Sequence, residues 1–360
     1  MNAIALFAGA GGLSEGFKRA NFNILAANEI DEQIAKTYKS RHNLNKGELF
    51  CKDIKDLSVG EIYSAIGEKK IDVIIGGPPC QGFSMAGSRI RENALLEDPR
   101  NYLFREYYRI IDSLSPDFFV MENVPGLKSF KDGMIVREIK RIFNESGYYI
   151  DIEVLNSANY GVPQARNRLF ILGSKNIKIN LREKANDYKK SKVTVKNAIS
   201  DLNFLEAGEG NKKQDYRIKP ESSYQYNRRK KSNKLYNHKA TNHSTKTIKK
   251  MKQVKPGENW RKLNNNGYDI NSNHSGAYGR LEWDKPAVTI TTRFDTPPGG
   301  RFIHPERHRT LTPREAARIQ SFDDDYIFIG NKSSVKKQIG NAVPPLMAEV
   351  IAKIIKSAES

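Results

Sequence analysis

The chain has 360 residues, 38% of them hydrophobic and 28% charged, a length that predicts two domains or one large one. It carries 60 Lys and Arg against 41 Asp and Glu, a formal net charge of +19. Its two cysteines, Cys51 and Cys80, exclude a disulfide framework and a Cys-rich zinc module.

No run approaches 18 apolar residues, which excludes a spanning helix. The opening MNAIALFAGAGG lacks the basic region and cleavage site of a secretory signal, so none is expected. Apolar, β-rich runs follow at Ile4–Phe7, Phe22–Ala27, Asp72–Ile75, Phe118–Met121, Ile150–Leu155 and Arg168–Leu172. Helical patterns lie between them, such as Tyr102–Leu114 and Gly133–Ser146. Short apolar strands separated by helices predict an α/β fold with a doubly wound, mostly parallel sheet, whose ligands bind at the carboxyl ends of the strands.

From about Lys175 to Asn273 this pattern ends. Asn, Lys, Ser and Tyr dominate without a strong period, which predicts a smaller, irregular domain or a long insertion. Between Lys175 and Lys262, 25 Lys and Arg face 8 Asp and Glu, so these 88 residues hold +17 of the +19. A localised basic field suits a polyanion partner, and the same composition also suits a solvated loop. After Tyr278 order returns. Ala287–Thr292 alternates like a strand, Thr312–Gln320 reads as a helix with Pro313 in its first turn, and Leu346, Met347, Val350, Ile351, Ile354 and Ile355 form one apolar helical stripe.

Two segments carry chemistry. Phe7-Ala8-Gly9-Ala10-Gly11-Gly12 lies between the first strand and a helix-like stretch, where glycines let backbone approach a ligand closely. Ser14 breaks the dinucleotide pattern G-x-G-x-x-G. Glu29, 20 residues beyond Gly9, could accept bonds from both ribose hydroxyls, and Asp53 lies near the end of the next strand. The set suits a nucleoside-bearing cofactor without a pyrophosphate; the alternative is a glycine turn chosen for packing.

The second segment is Asp72-Val-Ile-Ile-Gly-Gly-Pro-Pro-Cys80-Gln-Gly-Phe-Ser84. A buried strand runs into two glycines, two stiffening prolines and a thiol at the strand's carboxyl end. Thiolate is a strong nucleophile once its pKa, about 8.5 in a free cysteine, is met or lowered. The charged stretch Arg89–Arg100 beyond it reads as a mobile loop. Cys51 has no comparable context and reads as structural.

Gly77-Pro78-Pro79-Cys80-Gln81 resembles the nucleophile motif of the DNA (cytosine-5) methyltransferase family, of the bacterial restriction–modification type. Further motifs follow in that family's order: the Phe7–Gly12 loop, Glu122-Asn123-Val124, Gln164-Ala165-Arg166-Asn167-Arg168, Arg309-Thr-Leu-Thr-Pro-Arg-Glu-Ala-Ala-Arg-Ile-Gln-Ser-Phe322, and Gln338-Ile-Gly-Asn-Ala-Val-Pro-Pro345. The similarity covers about 1–175 and 278–360.

The resemblance implies a fold of the S-adenosylmethionine-dependent methyltransferase type. It also implies a catalytic and cofactor-binding domain over 1–185, a target-recognition domain over 186–310 with its variable basic part at about 190–290, a late helix motif and connection over 311–337, and a C-terminal segment, 338–360, returning to the catalytic domain. The implied reaction methylates carbon 5 of a flipped cytosine in double-stranded DNA through a covalent Cys80–C6 intermediate. In it Glu122 acts at N3, Asn123 orients the catalytic loop or meets the base edge, Arg166 positions the Glu near the base, and Arg168 either shares that role or is a structural ion pair.

S-adenosyl-L-methionine, leaving as S-adenosyl-L-homocysteine, is expected to contact Phe7, Ala8, Gly9, Gly11, Gly12, Glu29, Ile30, Asp53, Ile54, Pro79, Leu103, Asn341 and Ala342. DNA contacts are expected from Gln81, Ser84, Arg228, Arg229, Tyr278, Arg280 and Arg293, with Arg301 and the Lys249–Lys255 cluster as further candidates. No metal is expected: His304 and His308 lack a third ligand nearby. The resemblance further implies a cytoplasmic, bacterial or phage-encoded monomer, functionally paired with a restriction endonuclease. The alternatives are a transfer-RNA cytosine-5 methyltransferase, whose Cys-Phe-Thr signature is absent here, a catalytically silent DNA-binding scaffold, and a nicotinamide oxidoreductase, which the broken glycine pattern disfavours.

Overall fold

The structure, a computed structural model, describes residues 1–79, 103–272 and 274–359. Cys80, Gln81 and Ser84, with the rest of the stretch 80–102, lie outside the described residues. By its contacts the chain divides into two units. The first takes in Met1–Asn156, Asn167–Lys189 and Met347–Ser360, and the second Ser157–Arg166 and Lys190–Leu346. Residues 157–166 and 311–346 thus belong with the unit that contains the basic insertion. Among the described residues no helix is long and apolar enough to cross a membrane.

The first unit opens with β1 (Asn2–Leu6), α1 (Gly12–Arg19), β2 (Asn23–Asn28), α2 (Glu32–His42), β3 (Leu49–Phe50), α3 (Val59–Ile66) and β4 (Val73–Gly76). It continues with α4 (Leu103–Leu114), β5 (Phe118–Asn123), α5 (Met134–Glu145) and β6 (Tyr149–Asn156). After β7 (Gln164–Ala165), which belongs to the second unit, come β8 (Asn167–Ser174) and α6 (Leu181–Asn186).

The sheet has seven strands in the order β3-β2-β1-β4-β5-β8-β6. The first five are parallel, and β8 runs antiparallel to both its neighbours. The reversal follows from connection length: β6 returns into β8 after residues 157–166, too short for a helical crossover, so the strands pair antiparallel. The fully buried runs Val73–Ile75 and Phe118–Met121 match strands covered on both faces. Because β1 is flanked by β2 on one side and β4 on the other, the strand order reverses there. The ligand crevice of such a sheet lies at the carboxyl ends of these two strands.

The helices start where their caps dictate. Asp31 accepts from the backbone N–H of Gln33 and Ile34 at the start of α2, and Ser58 and Glu61 form a reciprocal capping box on α3. The second unit contains α7 (Val195–Ile199), the antiparallel pair β9 (Gly210–Gln214) and β10 (Leu235–Lys239) with α8 (Ser223–Arg229) between them, α9 (Thr245–Lys252), α10 (Trp260–Asn265), β11 (Ala287–Val288), α11 (Pro313–Ile319) and α12 (Lys332–Asn341). α13 (Pro345–Glu359) begins in the second unit and runs on in the first. There Met347, Val350, Ile351, Ile354 and Ile355 are buried, and Lys356 Nζ reaches Ala20 O at the end of α1 (3.4 Å). The expected apolar stripe is therefore used.

The second unit is more ordered than its composition suggests. Its centre is the helix α11, opened by a Thr312–Glu315 capping box and holding three fully buried arginines in and just before it. Arg309 pairs with both oxygens of Glu315 (2.8 and 2.7 Å), Arg318 with both of Asp324 (2.8 and 2.6 Å), and Arg314 donates to the carbonyls of Tyr236, Asp323 and Tyr326 (2.8–2.9 Å). A planar guanidinium can be buried when its donors are matched in this way. These fixed forks specify the packing alongside buried apolar side chains such as Leu311, Ile319, Phe322 and Tyr326.

Candidate active site

The glycine loop leaves β1 with Phe7, Gly9 and Gly11 in the left-handed region (φ 50°, 57° and 89°). A side chain at Gly9 or Gly11 would be strained there, so the loop needs glycine for its shape. Gly9 N–H donates to Glu29 Oε2 (2.8 Å), and Asp31 N–H donates to Glu29 Oε1 (2.9 Å). Glu29 is buried, and burial pushes its carboxyl above the ordinary range. Each oxygen can accept a further hydrogen bond, so the group fits a pair of vicinal hydroxyls. Ser14, which breaks the dinucleotide pattern, hydrogen-bonds Tyr38 Oη in the interior (2.8 Å), so α1 is tied to α2 where a glycine would leave it free.

Next along the crevice, Ile30 is exposed, and Asp53 caps a single 3-10 turn, Ile54–Asp56, by accepting from Lys55 N–H (3.0 Å). Ile54 is buried, while Pro79 and Leu103 are half-buried at the two ends of the undescribed stretch. Cys51 is exposed just beyond β3 and is not the core residue expected of a structural cysteine. Asn341 and Ala342, expected at the same cofactor, close α12 in the second unit, where Asn341 is exposed.

The end of β4 is shaped by what presses on it. A methyl group on Gly76 would lie 2.7 Å from Leu6 O and from the Tyr107 ring. Tyr107 Oη, fully buried, lies 2.7 Å from Val120 O and 3.0 Å from Ile74 O, between β4 and β5. A methyl group on Gly77 would lie 3.1 Å from Glu122 Oε2. The two glycines therefore admit the β4 turn beside the Glu122 carboxylate, three residues before Cys80. Asn123 Nδ2 donates to Pro78 O (3.0 Å), and Asn123 Oδ1 accepts from Val124 N–H (2.9 Å). The amide thus holds the backbone that leads to Cys80.

The two arginines of the Gln164–Arg168 motif part company. Arg168, on β8, pairs through Nε with Glu122 Oε1 at 2.8 Å. Arg166 is buried in the second unit and donates to Ile290 O (2.8 Å) and Gly340 O (3.0 Å). Arg168 thus holds the carboxylate, and Arg166 ties β7 to the segments around β11 and α12.

Three of the arginines expected at DNA make contacts within the second unit. Arg228 Nη1 bonds Asp323 Oδ1 and Ser321 O (both 2.9 Å); Arg229 bonds Asp201 Oδ2 (3.1 Å) and Ile218 O (2.9 Å) and stacks on Tyr216. Arg280 is 3% exposed, and its guanidinium meets the carbonyls of Met251, Val254, His304 and Arg307. Desolvation pushes the Arg280 guanidinium down to about 10. These side chains are spent on the second unit's own interior.

Arg293 is exposed, as are Lys249, Lys252 and Lys255. Tyr278 is half-buried in a left-handed conformation (φ 51°) with Lys250 Nζ 5.6 Å from its ring. Arg301 donates to Glu258 O and Arg280 O. His304 is buried, with Nδ1 accepting from Glu306 and Arg307 N–H (3.2 and 3.1 Å). Arg228→Ala should cost about 2–4 kcal/mol of stability, read by thermal melting, because it strands Asp323 in the interior. It should leave the salt dependence of DNA binding unchanged, whereas Lys249→Ala should lower the log K against log salt slope by about 1.

A seven-stranded sheet of this order, with a glycine loop after β1 and a buried carboxylate after β2, defines a class: the S-adenosylmethionine-dependent methyltransferases of the Rossmann-like kind. Within that class the chain belongs to the C-5 cytosine-specific DNA methylase family, whose family model matches residues 1–357.

The type II methyltransferase M.DdeI of Desulfomicrobium norvegicum is 38% identical over 379 residues, covering 99% of this chain and 88% of its own. The type II methyltransferase M1.HphI of Haemophilus parahaemolyticus is 38% identical over 354 residues, covering 98% of this chain and 86% of its own. Among solved structures, a chain described as a DNA modification methyltransferase encoded within a prophage (E. coli) superposes with a TM-score of 0.79 at 28% identity, over 99% of each chain. Family membership makes the chain a DNA (cytosine-5-)-methyltransferase, and the transfer-RNA alternative is not favoured.

Proposed function

We propose that the enzyme moves a methyl group from S-adenosyl-L-methionine to carbon 5 of a cytosine extruded from a specific double-stranded DNA sequence. The path runs through a transient bond between Cys80 and carbon 6. The observation that carries this reading is the Glu122 carboxylate, paired to Arg168 at 2.8 Å and lying against Gly77 of the turn that leads into Cys80.

Carbon 5 of cytosine is a poor nucleophile, and the target is inaccessible in a stacked duplex, so the base must first leave the helix at a cost of a few kcal/mol. Cys80 thiolate then forms a bond to carbon 6, which breaks the ring's conjugation and sends an electron pair toward N3 and carbon 5. Protonated Glu122 would hold the charge that develops at N3. Arg168 beside it favours the carboxylate, so the proton would be taken up only when the base fills the site and excludes water. The sulfonium of the bound cofactor supplies an electrophilic methyl group. Removal of the proton from carbon 5, for which water is the proposed base, restores the double bond and expels the Cys80 thiolate. Asn123 would keep the Pro78 backbone in place through this sequence.

Glu29, with both oxygens already oriented by backbone N–H groups, would hold the cofactor's ribose; Phe7, Gly9, Gly11 and Gly12 would pass its methionine part; Ile30, Asp53 and Ile54 would meet its adenine. The exposed lysines and arginines of the second unit would contact phosphates. The relatives' description as type II methyltransferases supports a role beside a restriction endonuclease of the same site; we propose a cytoplasmic monomer acting in that setting. Labelled S-adenosyl-L-methionine incubated with duplex DNA or with transfer RNA tests the reading. Label is expected in DNA alone, at cytosines that bisulfite sequencing then maps to one motif. Label in transfer RNA, or none in DNA, overturns it.

A further inference from the structure

Helix α4 carries a cation that the reaction above does not use. Arg109 Nη2 donates to Ile54 O and to Leu57 O, both at 3.0 Å, and its Nε is fixed by Glu106 Oε2 at 2.9 Å. The same turn is held by Lys52, whose Nζ donates to Asp56 O (3.2 Å) and pairs with Glu61 Oε1 (2.7 Å). Three of the four carbonyls over 54–57 thus end on a cation that a carboxylate orients. The turn is a single 3-10 turn of three residues; its backbone bonds, Asp56 N–H to Asp53 O (3.0 Å) and Leu57 N–H to Ile54 O (3.2 Å), have the poorer geometry of such a turn.

We infer that Arg109 is a positioning residue for S-adenosyl-L-methionine: it preforms the Asp53–Leu57 turn that receives the adenine. This rests on the cofactor reading of Asp53 and Ile54 given above. Without the guanidinium, the Ile54 and Leu57 carbonyls turn to water, and the turn samples other shapes. Binding must then order it, and that cost appears as lost cofactor affinity. Arg109 touches no reacting atom, so turnover at saturating cofactor is not its business.

The test is Arg109→Met and Arg109→Lys in the full-length enzyme, read by steady-state kinetics, calorimetric titration with S-adenosyl-L-methionine and thermal melting. Arg141→Met, which removes another arginine held by glutamates, on α5, is the control. Arg109→Met is expected to raise the cofactor KM and Kd about tenfold, the worth of one or two hydrogen bonds to carbonyls. kcat, the KM for DNA and the control should stay within about twofold of wild type. Arg109→Lys should recover part of the affinity, since an ammonium supplies charge and a donor but not the fork. Unchanged cofactor affinity in Arg109→Met overturns the inference, and so does a joint loss in which kcat and the melting temperature fall and both KM values rise. Wild-type titration separates the two readings. If the wild type binds the cofactor and Arg109→Met binds it equally, only the role of Arg109 falls; if the wild type does not bind it, the cofactor assignment falls first.

Discussion

Replacing Cys80 by alanine is expected to lower methyl transfer to duplex DNA by about 10⁴-fold or more, the scale seen when a covalent nucleophile is removed. Cys80→Ser should be nearly as poor, because a hydroxyl is almost wholly protonated at neutral pH, while a thiol with a pKa near 8.5 already supplies a few per cent of thiolate. DNA binding should survive both changes. A substrate strand bearing 5-fluorocytosine gives the direct readout: once the methyl group has been added, carbon 5 has no proton to lose, so elimination stops and the S–C6 bond persists. Mass spectrometry should then find the nucleotide on Cys80. Normal methylation with no adduct on that thiol would remove the covalent path and leave Glu122 without its role.

The second large effect separates the two arginines of one motif. Glu122→Gln should lower kcat by about 10²–10⁴-fold, the range of general acid–base catalysis. Arg168→Met should lower kcat as well, since it frees the carboxylate to turn away from the site, and Arg168→Lys should restore part of it. Arg166→Met should behave differently. It strands the carbonyls of Ile290 and Gly340 in the interior, at about 1–3 kcal/mol for each buried acceptor left unsatisfied. Its main readout is therefore a lower melting temperature. Equal losses of kcat and of stability in Arg166→Met and Arg168→Met would contradict the assignment of Glu122's partner.

Much of the first unit can be read from the chain. The apolar runs at Asp72–Ile75 and Phe118–Met121 became β4 and β5 within a residue or two, because strands buried on both faces must be continuously apolar. Glu29 and Glu122 could be named for the same reason, since each ends such a run. The basic insertion was less legible in structure. Its hairpin and short helices carry too few apolar residues to show a period. Sequence records charge without recording what the charge faces, so the internal contacts of Arg228, Arg229 and Arg280 were not readable from it. The T-x-x-E box at Thr312–Glu315 was a legible helix start, and it marks the element around which Arg309, Arg314 and Arg318 are buried.

The amino-acid sequence by itself determined the sheet class, the order of the motifs, and the residue types at the crevice: a thiol after two prolines, a carboxylate at the end of β5 and a glycine loop after β1. These are local properties, set by backbone freedom, hydrophobic run length and side-chain chemistry. Tertiary structure alone decided partnership: Arg168 on Glu122, Asn123 on Pro78, Arg109 on the Ile54 turn, and Arg228 and Arg280 on acceptors of the second unit. A guanidinium can satisfy a carbonyl or carboxylate contributed from anywhere in the chain. Only the packed chain determines which acceptors come within about 3 Å of it.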